Sequence, residues 1–401
     1  IKIIDTVLDD PVNFVDRFHA DVVGISVITP FFPLAHGIAT KLRARFPSLV
    51  IVIGGYHISS LPTSLAQPFD YGVIGEGEET FAELIQLLQK TNRPSTRQLK
   101  KIAGLSFIDR QSAKVVVTPA RKAMLLLNAP QLPWHLVPPE RIFQYQLQPV
   151  DYKPRILKSV RMYTSRGCPY NCSFCAHRVV WKGVRFFDVE LIGREIEYLY
   201  SKLSINSFQI MDDTFAVSKP RLKSLIVELK KRKLLGKVSF HYLFVRANLI
   251  DDEFAQLLKE FGTISVFIGI EFGSERMLRF LKDGEQSVEQ VKKATLHFQK
   301  YDIYVFGSFM LFSPTETTAE MMETYRLAKW FVAQKNALMI GFSVTTPYPG
   351  TRVWDMAVRE NLLTLGEIDW KDFLMFDINS GSRDMTQVFF FNGLSVAECT
   401  K

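Results

Sequence analysis

Cysteine is scarce in this chain of 401 residues, which contains only four. Three of them fall within residues 168–175, and the fourth, Cys399, stands alone near the end. Such crowding provides no framework of disulfides, which excludes the class of small, disulfide-stapled secreted domains. The cysteine distribution therefore favours a reducing, cytoplasmic setting, and it assigns no role to Cys399.

Membrane and export signals are also lacking. Residues 22–40 and 48–69 are long and uncharged, but each contains glycine and proline where a spanning helix would break. Residues 1–5 (IKIID) show no basic n-region or apolar h-region of a signal peptide. We therefore expect no transmembrane segment, and we expect the opening residues to be a strand whose own beginning is missing.

No long block of charge of one sign stands out in the sequence. The net charge of +8 is modest for this length and is spread along the chain, so we expect no nucleic-acid partner. Apolar residues make up 47% and charged residues 22%, which excludes a disordered chain or a membrane bundle. Phenylalanine is abundant, with 32 copies, and favours aromatic cores or a pocket for a flat or greasy ligand.

Residues 1–120 alternate short β-branched runs with amphipathic segments. Strands are predicted at residues 1–4, 21–28, 49–53 and 71–74, helices at 34–45 and 78–90, and a hairpin at 104–107 and 115–117. Continuous apolar strands separated by helices are typical of a parallel sheet covered on both faces. The sequence thus predicts an N-terminal α/β domain, a Rossmann-like doubly wound parallel sheet.

A proline-rich linker, residues 121–158, marks the domain boundary, because seven of the 19 prolines lie in residues 119–154. After it, strand and helix patterns alternate six times. Strands are predicted at 159–165, 207–211, 238–245, 265–270, 304–312 and 338–345, and helices at 189–203, 221–233, 252–261 and 316–333. Residues 159–350 should therefore form a partial (β/α)6 TIM-like barrel, followed by a C-terminal cap region, residues 351–401.

The cysteine triplet directly follows the first barrel strand, where barrel enzymes place their chemistry. Spacings of three and two residues let one loop turn the thiolates of Cys168, Cys172 and Cys175 toward a common point. Three cysteines hold three irons of a 4Fe-4S cube and leave the fourth open. Two alternatives stay open at this point, a Cys3His zinc site that recruits His177 and a chance cluster.

With these motifs the chain resembles the radical S-adenosylmethionine (SAM) enzymes, in the subgroup with an N-terminal cobalamin-binding-like domain. The Cys-x3-Cys-x2-Cys loop is similar, as are residues 211–215 (MDDTF), 269–275 (GIEFGSE) and 347–351 (PYPGT). This subgroup includes anaerobic magnesium-protoporphyrin monomethyl ester cyclases and hopanoid, bacteriochlorophyll and phosphinate methylases. Two departures are Phe272 for the usual serine and Phe312 for the usual glycine.

The N-terminal half resembles the cobalamin-binding-like domain of the same subgroup through residues 21–26 (DVVGIS), 54–57 (GGYH) and 75–81 (GEGEETF). No Asp-x-His-x-x-Gly segment is present, so no histidine reaches cobalt in the familiar way. The resemblance implies a chain that is cut at both ends. The predicted cobalamin contacts are Ser26, Thr29, Gly54, Gly55, Glu76 and Gly77.

The resemblance also implies roles around the cluster. Cys168, Cys172 and Cys175 would hold the 4Fe-4S cluster, whose fourth iron is chelated by the amine and carboxylate of SAM. The predicted SAM contacts are Phe174, Asp212, Arg246 and Glu271. Each has a structural alternative: a core aromatic for Phe174, a buried ion pair for Arg246 and Glu271, and, for Asp212, the possibility that Asp213 contacts SAM instead.

The implied function is reductive cleavage of SAM to a 5′-deoxyadenosyl radical that attacks an unactivated carbon, in a cobalamin-dependent methylation or cyclisation. No residue is assigned as catalytic. The expected partners are a small-molecule or lipid-like substrate and an electron donor such as flavodoxin or ferredoxin. The alternatives are a cobalamin-free radical SAM enzyme whose first domain is only a scaffold, and a non-catalytic zinc or iron-sulfur protein.

Overall fold

A computed structural model describes residues 1–4, 6, 9–126, 133–136, 158–215, 217–373, 389–390 and 392–393. Most of the predicted linker, residues 121–158, lies outside the described residues, as do Cys399 and most of the cap region beyond residue 373. Where the chain is described, no helix is long and apolar enough to cross a membrane.

The first sheet has the order β1-β2-β3-β4-β5. Its strands are β1 (Val22–Ser26), β2 (Val50–Gly54), β3 (Tyr71–Val73), β4 (Leu105–Ile108) and β5 (Val115–Val117). Its helices are α1 (Pro11–Phe18), α2 (Phe32–Arg45), α3 (Tyr56–Ser60), α4 (Gly77–Lys90) and α5 (Thr96–Leu99). The first three strands run parallel, and β4 and β5 add the predicted antiparallel hairpin.

Burial explains why these segments form a layered domain. Three consecutive residues of β2, Ile51, Val52 and Ile53, are almost completely buried, as expected for a strand covered on both faces. The strand predicted at residues 1–4 is wrong, since these residues have no regular structure and Ile1 is 94% exposed. An apolar β-branched run needs a neighbouring strand to complete its hydrogen bonds, and the described residues provide none there.

The second region contains β6 (Ser159–Met162), β7 (Ser165–Arg166), β8 (Arg185–Phe186), β9 (Ser207–Ile210), β10 (Ser239–His241), β11 (Leu243–Val245), β12 (Ser265–Glu271), β13 (Tyr304–Leu311) and β14 (Ala337–Val344). The helices are α6 (His177–Val180), α7 (Val189–Leu203), α8 (Lys219–Lys231), α9 (Asp252–Phe261), α10 (Glu275–Leu281), α11 (Val288–Lys300), α12 (Thr318–Val332) and α13 (Arg352–Arg359). All strands except the β7–β8 pair run parallel, which confirms the predicted barrel of alternating strands and helices.

The barrel is split into two sheets, ordered β10-β9-β6 and β11-β12-β13-β14. One continuous strand was predicted over residues 238–245, and that is wrong, because Tyr242 has a φ of 55° and interrupts it. A residue in the left-handed region cannot continue a ladder. The amide of Tyr242 instead donates to the Ser265 hydroxyl at 3.1 Å, and the two sheets meet at this residue.

Four helices of seven or more residues were not predicted, namely α1, α10, α11 and α13. Each is preceded by a cap residue whose side chain accepts a hydrogen bond from a backbone amide of the first turn; these residues are Asp10, Ser274, Ser287 and Thr351 respectively. Such caps satisfy amide groups that have no partner in the first turn of a helix. Cap residues were therefore a usable signal that hydrophobic periodicity did not provide.

The abundant phenylalanines are largely core residues. Phe208, Phe240 and Phe261 are 2% exposed or less, and the rings of Phe240 and Phe261 stack with centroids 3.9 Å apart. Stacked aromatic pairs add roughly 0.5–1.5 kcal/mol to the effect of area burial. Of the two interpretations of the phenylalanine content, dense cores account for these side chains.

Candidate active site

The loop between β7 and α6 carries the three cysteines and is called the cluster loop, residues 167–177. None of Cys168, Cys172 and Cys175 is in a disulfide. The Cys168 sulfur lies 3.0 Å from the Thr214 hydroxyl, just beyond β9, and the Cys175 sulfur lies 3.4 Å from Nδ1 of His177. The loop thus presents three thiols that are not in disulfides. The polar neighbours of two of them come from different elements, Thr214 after β9 and His177 at the start of α6.

Two buried cations lie beside the middle cysteine. Arg246, at the end of β11, donates to the Cys172 sulfur at 3.4 Å and to the Lys282 carbonyl at 2.8 Å, and its guanidinium lies over the Tyr170 ring at 3.7 Å. Lys282 is only 3% exposed. Burial raises the pKa of Cys172, while the positive charges of Lys282 and Arg246 lower it. The pKa of Cys172 is raised overall, and the two cations lie where they would offset the negative charge of a cluster-bound sulfur.

Glu271 ends β12 in a left-handed conformation, with a φ of 64°. Its carboxylate lies 3.6 Å from the Lys282 ammonium, and both side chains are nearly inaccessible to solvent. The ion pair that the sequence left open as an alternative is therefore present, but its cation is Lys282 and not Arg246. Sequence reasoning gave Lys282 no role.

Asp212 and Asp213 face different partners, as expected for adjacent residues at a strand end. Asp212 is 1% exposed and accepts four hydrogen bonds, from the amides and hydroxyls of Thr164 and Ser165. Asp213 accepts one from the amide of Gly167 at 3.1 Å. Asp212 thus fixes the chain just before the cluster loop, and its predicted contact with SAM stays a prediction.

Phe174 packs, partly buried, against an apolar cluster that includes Phe272, Met277 and Met310. The amide of the preceding Ser173 donates to the Leu281 carbonyl at 2.8 Å. The core role that the sequence left open for Phe174 is therefore present. Its predicted contact with SAM stays a prediction.

The donor set of the cluster loop fits a 4Fe-4S cluster. One loop carries three thiols, and next to Cys172 lie two cations, of which Arg246 also donates a hydrogen bond to its sulfur; this suits a ligand that carries negative charge. In the part of the chain that the structure describes, no three His, Cys, Asp or Glu side chains are grouped to hold a single metal ion.

The C-terminal ends of β2 and β3 form what we call the glycine edge, residues 54–55 and 75–77. A Cβ on Gly54 would have no atom nearer than 4.0 Å, and one on Gly75 would meet nothing within 4 Å, so both backbones are open to a ligand. Gly55 differs, since it has a φ of 90° and its Cβ would lie 2.5 Å from the Val27 carbonyl. The open backbone fits approach by a large cofactor such as cobalamin.

The six predicted cobalamin contacts are thus in different situations. Ser26 is exposed at the end of β1, while Thr29 is buried with its hydroxyl 3.4 Å from the His57 ring. Gly77 begins α4, and its Cβ would lie 3.0 Å from a Val73 methyl group. Ser26 and Gly54 remain open to a ligand, whereas the others already have a packing or hydrogen-bonding role; all six contacts stay predictions.

Glu76 links the glycine edge to the barrel. Its carboxylate, with an 8% exposed side chain, pairs with Arg166 at 2.9 Å and with Arg185 at 2.5 Å. Arg166 also pairs with Glu78 and lies only two residues before Cys168. We call the ion pairs of Glu76 with Arg166 and Arg185 the Glu76 joint. Sequence reasoning missed it, because it depends on which residues of two distant segments come into contact.

Comparisons with known proteins agree with this geometry. The Radical SAM superfamily model matches residues 162–328, and the B12 binding domain model matches residues 3–85. Over 390 residues the chain is 32% identical to an uncharacterized methyltransferase of Pyrococcus horikoshii, with 94% of this chain and 78% of that protein covered. It is 24% identical to an anaerobic magnesium-protoporphyrin IX monomethyl ester cyclase of Cereibacter sphaeroides, with 82% of this chain and 52% of that protein covered.

A solved structure has the same fold. The radical SAM methyltransferase TsrM from Kitasatospora setae superposes with a TM-score of 0.71 at 18% identity, covering 88% of this chain and 69% of that one. The family matches and the full-length relative, taken with the cluster loop, exclude a non-catalytic zinc protein and favour cobalamin over a scaffold-only first domain. The chain belongs to the radical SAM superfamily, as an enzyme with a B12-binding domain, and its cofactors are a 4Fe-4S cluster, SAM and cobalamin.

Proposed function

We propose that this enzyme methylates or cyclises an unactivated carbon of a small molecule. The observation that carries the proposal is the Glu76 joint, through which the B12-binding domain meets the strand that leads into the cluster loop. The relatives named above are a methyltransferase and a cyclase, and both reactions are therefore candidates. The boundaries proposed for the two domains, residues 1–120 and 159–350, place the joint between them.

When bound, the cluster and SAM would supply radical chemistry and cobalamin would supply a methyl carrier. Cys168, Cys172 and Cys175 would hold the cluster. Arg246 donates to the Cys172 sulfur and would stabilise the negative charge of the ligated loop. Glu271 pairs with Lys282 through Oε1 and would accept from ribose hydroxyl groups of SAM with its other carboxylate oxygen.

We assign Asp212 a positioning role. Its four hydrogen bonds fix Thr164 and Ser165, and the chain then reaches Cys168 three residues later. Phe174 would support the loop from its apolar side. On the first domain, the exposed Ser26 and the open backbone of Gly54 would contact cobalamin.

The substrate class that we propose is a small molecule, which can be lipid-like, and the reductant is a flavodoxin or a ferredoxin. A reducing cytoplasm would suit three free thiols and a cluster. The modest net charge of +8 gives no reason to add a nucleic-acid partner.

Anaerobic reconstitution tests the proposal. The chain is loaded with iron, sulfide and hydroxocobalamin, desalted, reduced and given SAM. We expect about four irons per chain, retained cobalamin, and formation of 5′-deoxyadenosine or of S-adenosylhomocysteine as a mark of methyl transfer. Stoichiometric zinc without SAM cleavage would contradict the enzyme assignment, and SAM cleavage without retained cobalamin would contradict the role of the first domain.

A matched pair of cysteine variants is the control. Cys172→Ala removes one of three predicted cluster ligands, and we expect it to lose iron and SAM cleavage together. Cys399→Ala removes the one cysteine with no predicted role, and its iron content and cleavage should match those of the unmodified chain. If Cys172→Ala keeps a full cluster, the ligand assignment is wrong.

A further inference from the structure

A cavity of about 490 Å³ lies between the two domains beside the barrel mouth. Barrel residues form most of its wall, and the first domain and the following segment close it with Tyr56, Glu78, Met124 and Pro133. Its volume is within the range of about 300–1,000 Å³ typical of small-molecule sites. It touches the cluster strand, because Ser165 and Arg166 of β7 are part of its wall.

The body of the cavity is aromatic and aliphatic. The apolar side chains of its barrel wall are Tyr163, Trp181, Phe187, Leu191, Ile192 and Met211. Several aromatic rings and a thioether in the wall favour a flat, largely apolar ligand, since aromatic faces stack and methionine adapts its shape.

The charged side chains of the cavity wall are three carboxylates, Glu78, Glu195 and Asp213, and one cation, Arg166. Asp213 and Glu195 are part of the wall, and no cation of the described residues pairs with either. Glu195 is 6% exposed and accepts from the Trp134 indole at 2.6 Å, and burial raises its pKa. The one cation of the wall, Arg166, is already paired with Glu76 and Glu78.

This charge pattern selects among ligands. A phosphate or carboxylate would meet the carboxyl groups of Asp213 and Glu195, whose pKa values desolvation raises, and no available cation, which costs free energy in a partly desolvated site. An amine or another hydrogen-bond donor would find an acceptor in Asp213, which accepts a single backbone hydrogen bond, from Gly167. Because Gly167 precedes Cys168, a ligand held by Asp213 lies next to the cluster loop.

We propose that this cavity is the substrate site and that it selects a flat, largely apolar small molecule bearing a basic amine or similar donor, and rejects phosphorylated and carboxylated ones. The inference rests on the proposed function and names the substrate class for it. It does not depend on the outcome at carbon, since methylation and cyclisation need the same recognition.

The test uses two probes with the same flat body and opposite charge, 1-naphthylmethylamine and 1-naphthoate. Their affinities for the cofactor-loaded enzyme are measured by isothermal titration calorimetry at pH 7. We expect the amine to bind at least 10-fold more tightly than the carboxylate. In Asp213→Asn this ratio should fall to about one, while in Asp355→Asn, an exposed aspartate outside the cavity wall, it should be unchanged.

Equal affinities in the unmodified enzyme, or tighter binding of 1-naphthoate, overturn the proposal. Circular dichroism checks the fold of Asp213→Asn, and Glu195→Gln is the second variant if that one does not fold; an unchanged ratio in the folded variant also overturns it. SAM cleavage without substrate is measured in parallel. Cleavage with no charge preference refutes only the substrate class, whereas amine binding without cleavage refutes the proposed function.

Discussion

The cluster loop and the glycine edge present ligands in opposite ways. At the cluster loop, thiols, a guanidinium and an ammonium come together from β7, β11 and α10 with its flanking residues, and nearly every contact is made by a side chain. At the glycine edge the accessible surface is backbone at Gly54 and Gly75. A side-chain site needs particular residue types, and a backbone site needs mainly the absence of Cβ atoms.

The difference has a consequence for mutations. Side-chain ligands are lost by deleting the side chain, whereas a backbone site is lost by adding one. Each site nevertheless depends on one glycine that packing requires, Gly167 before the first cysteine and Gly55 after β2. Adding a methyl group at these two positions, and at an open glycine near each, measures how far the two sites tolerate crowding.

The largest effect is expected for Gly167→Ala. Gly167 has a φ of 85°, and a Cβ there would lie 2.1 Å from the Gly183 carbonyl, so the strand leading to Cys168 must shift. We expect iron content and SAM cleavage to fall at least 10-fold. Gly183 also has a positive φ, 68°, but its Cβ would meet nothing within 4 Å.

Gly183→Ala is therefore the matched control, which should cost only about 1 kcal/mol for the left-handed conformation and keep its cluster. Iron analysis and the electron paramagnetic resonance signal of the reduced cluster report the outcome. Similar iron content in the two variants would mean that the close packing of Gly167 against the Gly183 carbonyl is not needed to position the cluster loop.

The second prediction concerns the glycine edge. Gly55→Ala combines a φ of 90° with a Cβ 2.5 Å from the Val27 carbonyl, and we expect a loss of about 3–5 kcal/mol in the free energy of unfolding of the first domain. Gly54→Ala has space for its methyl group and should change stability by less than about 1 kcal/mol while weakening cobalamin retention. Urea unfolding and the absorbance of retained cobalamin separate the two. Equal destabilisation would contradict the assignment of Gly54 as an open position.

The third prediction tests how the two sites are joined. Glu76→Gln leaves Arg166 and Arg185 without their partly buried partner, and we expect a loss of about 3 kcal/mol. A double-mutant cycle with Arg185→Gln isolates the coupling energy. The exposed pair Lys219 and Asp251 is the comparison, with a coupling below about 1 kcal/mol. Coupling at Glu76 no larger than at that pair would mean that the joint contributes little to holding the domains.

Residue patterns predicted the layers and the cluster loop because both depend on local signals. Alternating strand and helix patterns reflect periodic burial, and the three cysteines stand in one short segment. The Glu76 joint and the four hydrogen bonds to Asp212 depend on residues that are far apart in sequence and adjacent only after folding. Hydrophobic periodicity does not encode contacts between such distant residues. The break at Tyr242 was missed for another reason, since tyrosine gives no sign of a left-handed conformation.

The smallest effect is expected at Glu316, which follows β13 and belongs to neither the cluster loop nor the glycine edge. This carboxyl group is 1% exposed, and burial raises its pKa to about 7. The folded state therefore keeps Glu316 neutral up to about pH 7, while the unfolded chain ionises it near its ordinary value of about 4.5. The contribution of neutral Glu316 to the free energy of unfolding is fully present below pH 4.5. About 2–3 kcal/mol of it is lost as the pH rises toward 7.

Glu316→Gln keeps an oxygen to accept the hydrogen bond of the Ser313 amide and cannot ionise, so the slope of unfolding free energy between pH 4.5 and 7 should become shallower. Urea unfolding at several pH values measures it, with the exposed Glu323→Gln as the control whose slope should match the unmodified chain. An unchanged slope in Glu316→Gln would show that this carboxyl group titrates alike in both states. Because Glu316 lies outside the cluster loop and the glycine edge, a change of slope with full cofactor retention would separate fold stability from the two ligand sites.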